Sequence, residues 1–429
     1  MPDIVETVGR LITDQTAHSP QNARRILEAA YGWVSLGALD KLPSYKSAEK
    51  RYNAEIARTI THALMHPQDC AIVNIFMPCE ILRAMDITPM YPEGISAYVA
   101  NTACANTFAE AAEARNVPES LCSYHKVMIG MAESGVLPAP ALITNTTLTC
   151  DANQVSFRRL AQRYDVPHYV IDVPHRISEE SVRYVADQLI EMTALIEEVT
   201  GKHLDSNKLS AILERSAKTI TTLKQYQKLR AHVTIPTTST GELLAMMATH
   251  FGLGSKAALR YAEDLLSIAK RAQPATTSQK PRIFWMHTLP NWQMSMRAIF
   301  DGQDASCELV GTDLMLDYPE EADPSRPFET LARRIVYTCF NGPGKRRVES
   351  ALNYALELNI DGAIIFCHWG CKQTLGISQL AKHAFEDHNI PVLILDGDGC
   401  DPRNVADGQM ITRVNAFLEQ LEGVQSHDA

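Results

Sequence analysis

An α/β fold of two Rossmann-like parallel-sheet domains, joined by a helical segment and preceded by an N-terminal helical arm, is predicted by three features of the sequence. One pattern occurs twice: an apolar strand leads to a cysteine, a helix follows, and a second strand opens on a branched residue and proline and closes on aspartate. The first copy runs from Pro140 through Leu142-Ile143, Cys150-Asp151 and Val166-Pro167 to Asp172, the second from Asp361-Gly362 through Ile364-Ile365-Phe366, Cys371 and Ile390-Pro391 to Asp396. A block between the copies has helical spacing almost throughout, and 429 residues are too many for one hydrophobic core. In open α/β sheets ligands bind at the carboxyl edge of the strands. A repeated unit with a thiol at that edge therefore predicts two half-sites facing one cleft.

Taken in order, residues 1–66 show helical spacing at Ala23, Ile26, Leu27, Ala30 and Trp33, and again at Tyr52, Ile56, Ile60 and Leu64, which predicts the arm. Residues 67–177 change to short apolar runs ended by Pro, Gly and Asn, with helices expected over Thr107–Arg115 and Ser156–Tyr164, and form the first α/β domain. Residues 178–279 carry two apolar stripes, Val182, Val185, Leu189, Met192 and Ile196, then Leu209, Ile212, Leu213, Ile220 and Leu223. Thr234-Ile235-Pro236 breaks this segment, and the Gln, Thr, Ser and Pro content of 272–280 reads as a linker. Residues 280–429 open with the strand Arg282-Ile283-Phe284-Trp285-Met286 and make the second α/β domain, with a frayed polar tail from Gly423.

Composition excludes several classes. At 45% hydrophobic and 21% charged residues the chain is ordinary for a globular protein, and no run approaches the apolar length of a membrane span. The opening Met-Pro-Asp-Ile-Val-Glu lacks the basic-then-apolar layout of a signal peptide, so cytoplasmic location is expected. A formal net charge of −10 argues against nucleic-acid binding, which needs a lysine and arginine footprint.

Ten cysteines without a secretion signal read as reduced thiols. For Cys70, Cys307 and Cys339 plain packing suffices, since unbridged Cys is among the most buried residue types. Cys122, Cys150 and Cys371 each adjoin a strand end or helix start, where helix N-termini favour thiolate. Cys367 and Cys371 form Cys-His-Trp-Gly-Cys, but no second close pair exists for a four-thiolate zinc ribbon. A metal site here has to be assembled from distant segments. Three thiolates on a 4Fe-4S cluster leave one iron open, as catalytic zinc sites keep an open position.

Several stretches, in the family's order over residues 70 to 420, resemble the 2-hydroxyacyl-CoA dehydratase family, which includes the benzoyl-CoA reductase subunits. They are Met77-Pro78-Cys79-Glu80 with Tyr91-Pro92-Glu93-Gly94, Leu121-Cys122-Ser123-Tyr124, Thr149-Cys150-Asp151 and Trp369-Gly370-Cys371-Lys372. Asp396-Gly397-Asp398 with Asp401-Pro402-Arg403-Asn404, Gln409 and Thr412-Arg413 is most similar to the larger, alpha-type subunit. The resemblance implies that Cys122, Cys150 and Cys371 carry a 4Fe-4S cluster, that a related second subunit completes a heterodimer, and that a separate iron-sulfur ATPase activator injects one electron. It further implies an acyl-CoA substrate that loses water through a ketyl radical anion on the thioester carbonyl, with Glu93 as an acid-base residue near the substrate hydroxyl.

Around such a cluster, His368, Trp369 and the Met77-Pro78 segment are expected to form a shielding wall. Dehydratases carry a serine near the strand end before Pro-Cys-Glu where this chain reads Asn74-Ile75-Phe76-Met77, so Asn74 is the candidate hydrogen-bond donor in its place. His125-Lys126 and Arg346-Arg347 are weighed for CoA phosphates and read instead as ordinary exposed helix-face pairs. Asp396-Gly397-Asp398 is read as shaping the cleft, held by Arg403 or Arg413, and Cys367 and Cys400 as packing residues. The alternatives are a reductase subunit delivering low-potential electrons to an acyl-CoA, and a non-enzymatic α/β small-molecule binding protein. A colourless zinc protein is a further competitor.

Overall fold

The computed structural model describes residues 2–302, 304–315, 323 and 325–427. Four short strands, β1 (Cys70–Ile72), β2 (Thr88–Met90), β3 (Leu142–Thr146) and β4 (His168–Ile171), make a parallel sheet in the order β2-β1-β3-β4. A two-stranded antiparallel ribbon of β5 (Val233–Thr234) and β6 (Gln273–Pro274) follows, and then β7 (Arg282–Met286), β8 (Glu308–Thr312), β9 (Gly362–His368) and β10 (Val392–Gly397). The last four make a second parallel sheet in the order β10-β9-β7-β8. Read from the opposite edge, that order is second, first, third, fourth, the same as in the first sheet. The internal copy seen in the sequence therefore extends to the strand order. Each sheet has its topological switch point between its first and third strands, β1 and β3 in one and β7 and β9 in the other.

The N-terminal helices Pro2–His18, Pro20–Ser35 and Tyr45–Met65 pack in one apolar core with the first sheet and the helices Glu179–Thr200 and Ser206–Arg230. The second sheet has two cores, one on each face, built around Trp285 and Phe366 on one side and Phe284 and Ile365 on the other. All seven positions of β9 are buried, as expected of a parallel strand covered on both faces. Buried Arg230 fastens the helical segment to the second sheet: it pairs with Glu242 at 2.9 Å and donates to the carbonyl of Leu309 in β8.

Three expectations need adjustment. The stretch read as a linker is tied down, because Gln273-Pro274 pairs with the extended Val233-Thr234 beside the Thr-Ile-Pro breaker. The tail does not fray at Gly423, since the helix that begins at Asp407 runs to His427. The helix expected from Ser156 begins at Asp151, directly after Cys150. No helix among the described residues is long and apolar enough to cross a membrane.

Candidate functional site

The segments leaving the four switch-point strands line a single cavity of about 510 Å³: Ile75 and Phe76 after β1, Thr149 and Cys150 after β3, His287 and Thr288 after β7, and His368 and Cys371 at and after the end of β9. Cys122 and Glu93 line it as well. Helices of the N-terminal arm contribute Tyr31, Val34 and Asn53, and the wall is otherwise mainly apolar, with Leu243, Met246 and Phe340. The four cavity-facing residues Glu93, Cys122, Cys150 and Cys371, up to 278 positions apart in sequence, meet here.

Each of the three cysteines is the residue immediately before a helix: Cys122 before Ser123–Glu133, Cys150 before Asp151–Tyr164, and Cys371 before Lys372–Glu386. Main-chain N–H groups of the first turn are aimed at the sulfurs, His125 N–H at Cys122 and those of Ala152 and Asn153 at Cys150. As free thiols Cys122 and Cys150 are nonetheless held protonated. Burial raises the Cys122 thiol well above its usual range and the neighbouring Cys371 and Cys150 raise it further, and burial pushes Cys150 up to about 12. Three thiols, each at a positive helix end, are poised to deprotonate when cationic metal is supplied. Among the described residues no three His, Cys, Asp or Glu side chains converge closely enough to hold a single ion.

Two histidines accompany the thiols. Gly399 N–H donates to Nδ1 of His368 at 2.9 Å, which leaves the proton of the neutral ring on Nε2, 3.1 Å from the sulfur of Cys122. Burial keeps His368 below its usual range against the opposing pull of Asp398. The ring therefore serves Cys122 as a neutral N–H donor. His125 places Nε2 3.9 Å from the sulfur of Cys150, its Nδ1 has no partner, and burial depresses it to about 3.

The loop bearing Cys371 meets the loop bearing Cys122 at Gly370. Its φ is +78°, and a Cβ there would stand 2.6 Å from the amide nitrogen of Cys122. Only glycine fits both demands. Gln373 completes the seam by donating to the carbonyl of Thr149 at 2.7 Å, one residue before Cys150.

Glu93 lies in the first turn of the helix Pro92–Ala100. It is 8% exposed, its Oε2 has no partner, and burial raises its carboxyl to about 8 against a smaller lowering by its own backbone N–H. At neutral pH it is largely an uncharged acid facing the cavity.

Asn74 does not line the cavity. It is fully buried, and its amide donates to the hydroxyl of Thr146 and the carbonyl of Leu148 while accepting from Thr146 N–H at 3.0 Å. The side chain is committed to joining the ends of β1 and β3, which corrects its reading as a substrate-facing donor. Its neighbours Ile75 and Phe76 face the cavity instead.

Lys126 is not on an exposed helix face. It is 1% exposed and pairs with Glu113 at 2.8 Å and Asp401 at 3.1 Å. Arg346 is spent on the carbonyls of Tyr337, Thr338 and Asn341, and Arg347 on Asp313 at 2.7 Å. Trp369 is 49% exposed on the outside and Met77 is buried behind the sheet end, so of the expected wall only His368 lines the cavity. Cys367 and Cys400 are buried in apolar cores and do not line the cavity, although Cys400 lies near Cys122 and Cys367 near Cys371.

Asp398 is fully buried and accepts from Ser123 Oγ, from the N–H groups of Cys400 and Asp401, and from Asn404. It fastens the loop after β10 to the helix that follows Cys122. Arg403 holds Asp401 rather than Asp398, and Arg413 comes within 4.0 Å of exposed Asp396. Sequence reasoning passed over His287 altogether. Its place as the first residue beyond β7, matching the position after β1 in the other sheet, is the signal that marks it.

A family model described as 2-hydroxyglutaryl-CoA dehydratase, D-component, matches residues 74–421. The chain is 22% identical over 373 residues to the (R)-phenyllactyl-CoA dehydratase alpha subunit of Clostridium sporogenes, covering 80% of this chain and 87% of that one. It is 24% identical over 383 residues to the lactoyl-CoA dehydratase subunit alpha of Anaerotignum propionicum, covering 80% and 89%. Against the (R)-2-hydroxyisocaproyl-CoA dehydratase alpha subunit of Clostridioides difficile it is 22% identical over 367 residues, covering 80% and 88%.

Proposed function

This chain belongs to the 2-hydroxyglutaryl-CoA dehydratase D-component family, and from that premise we propose that it is the alpha-type, iron-sulfur subunit of a (R)-2-hydroxyacyl-CoA dehydratase, forming a 2-enoyl-CoA by loss of water. The observation that carries the reading is the meeting of Cys122, Cys150, Cys371 and Glu93 on one cavity. Three thiols at helix N-termini, with the other cysteines turned into the cores, fit a 4Fe-4S cluster bound through three irons. When bound, such a cluster would be held by Cys122, Cys150 and Cys371 and would supply low-potential one-electron chemistry to an acyl-CoA in the cavity.

The chain's own groups have definite tasks in this scheme. First-turn N–H groups and the Nε2–H of His368 offset negative charge on the sulfurs, and hydrogen bonds of this kind tune such centres. Protonated Glu93 holds a proton at the cavity wall, available to a departing hydroxyl, because its apolar surroundings keep the acid form at neutral pH. The apolar wall formed by Phe76, Leu243, Met246 and Phe340 excludes water from a reactive centre. A related second subunit, supported by the alpha-subunit names of the relatives, and an iron-sulfur ATPase activator complete the proposal.

The test is iron and acid-labile sulfide per chain, with the visible spectrum, on protein purified without oxygen. About four of each is expected, and Cys371→Ser should lower the iron while leaving the thermal melt nearly unchanged. Full iron in Cys371→Ser removes that cysteine from the ligand set, and absence of iron after anaerobic reconstitution of the native chain overturns the reading.

A further inference from the structure

Four histidines border the cavity, and three are occupied: His368 between Gly399 N–H and Cys122, His125 against Cys150, and His250 on the carbonyl of Leu314. His287 differs, since neither ring nitrogen has a hydrogen-bond partner and both are shut off from solvent. Leaving such groups unpaired costs roughly 1–3 kcal/mol each, so the site calls for a ligand atom. The backbone holds the ring there deliberately: φ is +84°, unusual for a non-glycine residue, and His287 N–H donates to Asp313 Oδ1 at 2.7 Å. The other oxygen of Asp313 receives Arg347 at 2.7 Å, so one buried carboxylate fixes both the histidine backbone and a cation beside the cavity.

Resting on the acyl-CoA reading above, we propose that His287 is a catalytic hydrogen-bond donor to the thioester carbonyl oxygen of the substrate. The substrate presents two oxygens near its reacting carbons, a hydroxyl and a carbonyl. Glu93, from the first α/β unit, is assigned to the hydroxyl. His287 comes from the second unit, 6.0 Å between ring centres from His368 and close enough to Arg347 to feel its charge. Burial, Arg347 and His368 all keep its ring neutral, so it carries one N–H to donate. A preorganised donor beside a fixed cation suits an oxygen on which negative charge develops.

The experiment compares His287→Leu with His287→Gln in the full chain, assembled with its second subunit and loaded with iron. Both carry the same backbone strain, and only Gln keeps an N–H donor. Binding of butyryl-CoA and of S-butyl-CoA, which lacks the carbonyl oxygen, is measured for each. The native preference for butyryl-CoA should fall about 3- to 10-fold in His287→Leu and largely survive in His287→Gln, with iron content unchanged. Turnover of a 2-hydroxyacyl-CoA should fall on the order of 100-fold in His287→Leu. If Leu does not yield folded protein, His287→Phe, an aromatic ring without hydrogen-bonding atoms, takes its place with the same expectation. An unchanged preference in the Leu or Phe protein at native iron content overturns the role of His287. Failure of the native, iron-loaded protein to bind butyryl-CoA overturns the acyl-CoA reading itself, and this inference with it.

Discussion

Replacing Glu93 by glutamine tests the buried acid directly, through stability as well as turnover. The native carboxyl sits at about 8 against the usual 4.5, raised by burial. A group whose folded-state value is raised favours the folded protein only while protonated. Its contribution is complete below about pH 4.5 and is lost as pH rises towards 8. At 1.36 kcal/mol per unit the native chain loses about 1.4 kcal/mol per pH unit across that window, on the order of 5 kcal/mol in all. Glutamine has nearly the same shape and does not titrate. Glu93→Gln should therefore match the native chain near pH 5 and become the more stable of the two by pH 8, with no further divergence above. Thermal melts of both proteins at half-unit steps from pH 5 to 9, in one buffer system and at constant ionic strength, read the difference. A gap that is constant across this range means that Glu93 is already ionised in the folded protein, and refutes the argument from burial. The same proton should appear in turnover, with dehydration falling above pH 8 in the native enzyme and low at every pH in Glu93→Gln.

Two further outcomes follow from the geometry. Asn74→Ala strips the partner from buried Thr146 N–H, while the carbonyl of Leu148 keeps Thr146 Oγ1 and Asn153, and should cost about 1–3 kcal/mol in the melt while leaving the iron content of correctly folded protein unchanged; a large loss of turnover at native stability would restore it to the substrate-facing set. Gly370→Ala puts a methyl group 2.6 Å from the amide nitrogen of Cys122 at a φ of +78°, so it should displace the loop of Cys122 and lower bound iron as strongly as loss of a cysteine; native iron and native melting would show that the two loops are not pressed together as described.

What the sequence determined is what local chemistry writes into it. Strand Gly362–His368 is apolar at nearly every position because both of its faces are covered, and the helices after Cys150 and Cys371 keep the 3.6-residue period of a one-sided apolar face. Both patterns, and their repetition, were legible without coordinates, as was the placement of a thiol at each strand's carboxyl edge. Motif resemblance supplied Cys122 and Glu93. What remained hidden depends on atoms that are distant in sequence. Asn74 looked available until Thr146 and Leu148 proved to consume its amide, and Lys126 looked like surface charge until Glu113 and Asp401 enclosed it. Glu93 is an ordinary carboxylic acid in the sequence, and its raised pKa exists only because the folded chain buries it away from water. His287 carries no motif at all. Its significance comes from the matching strand order of the two sheets, which sets it at the second switch point on the wall of the same cavity as Cys150. Periodicity reports which face of an element is buried, whereas desolvation and hydrogen-bond satisfaction are properties of the assembled interior, and only the tertiary structure decides them.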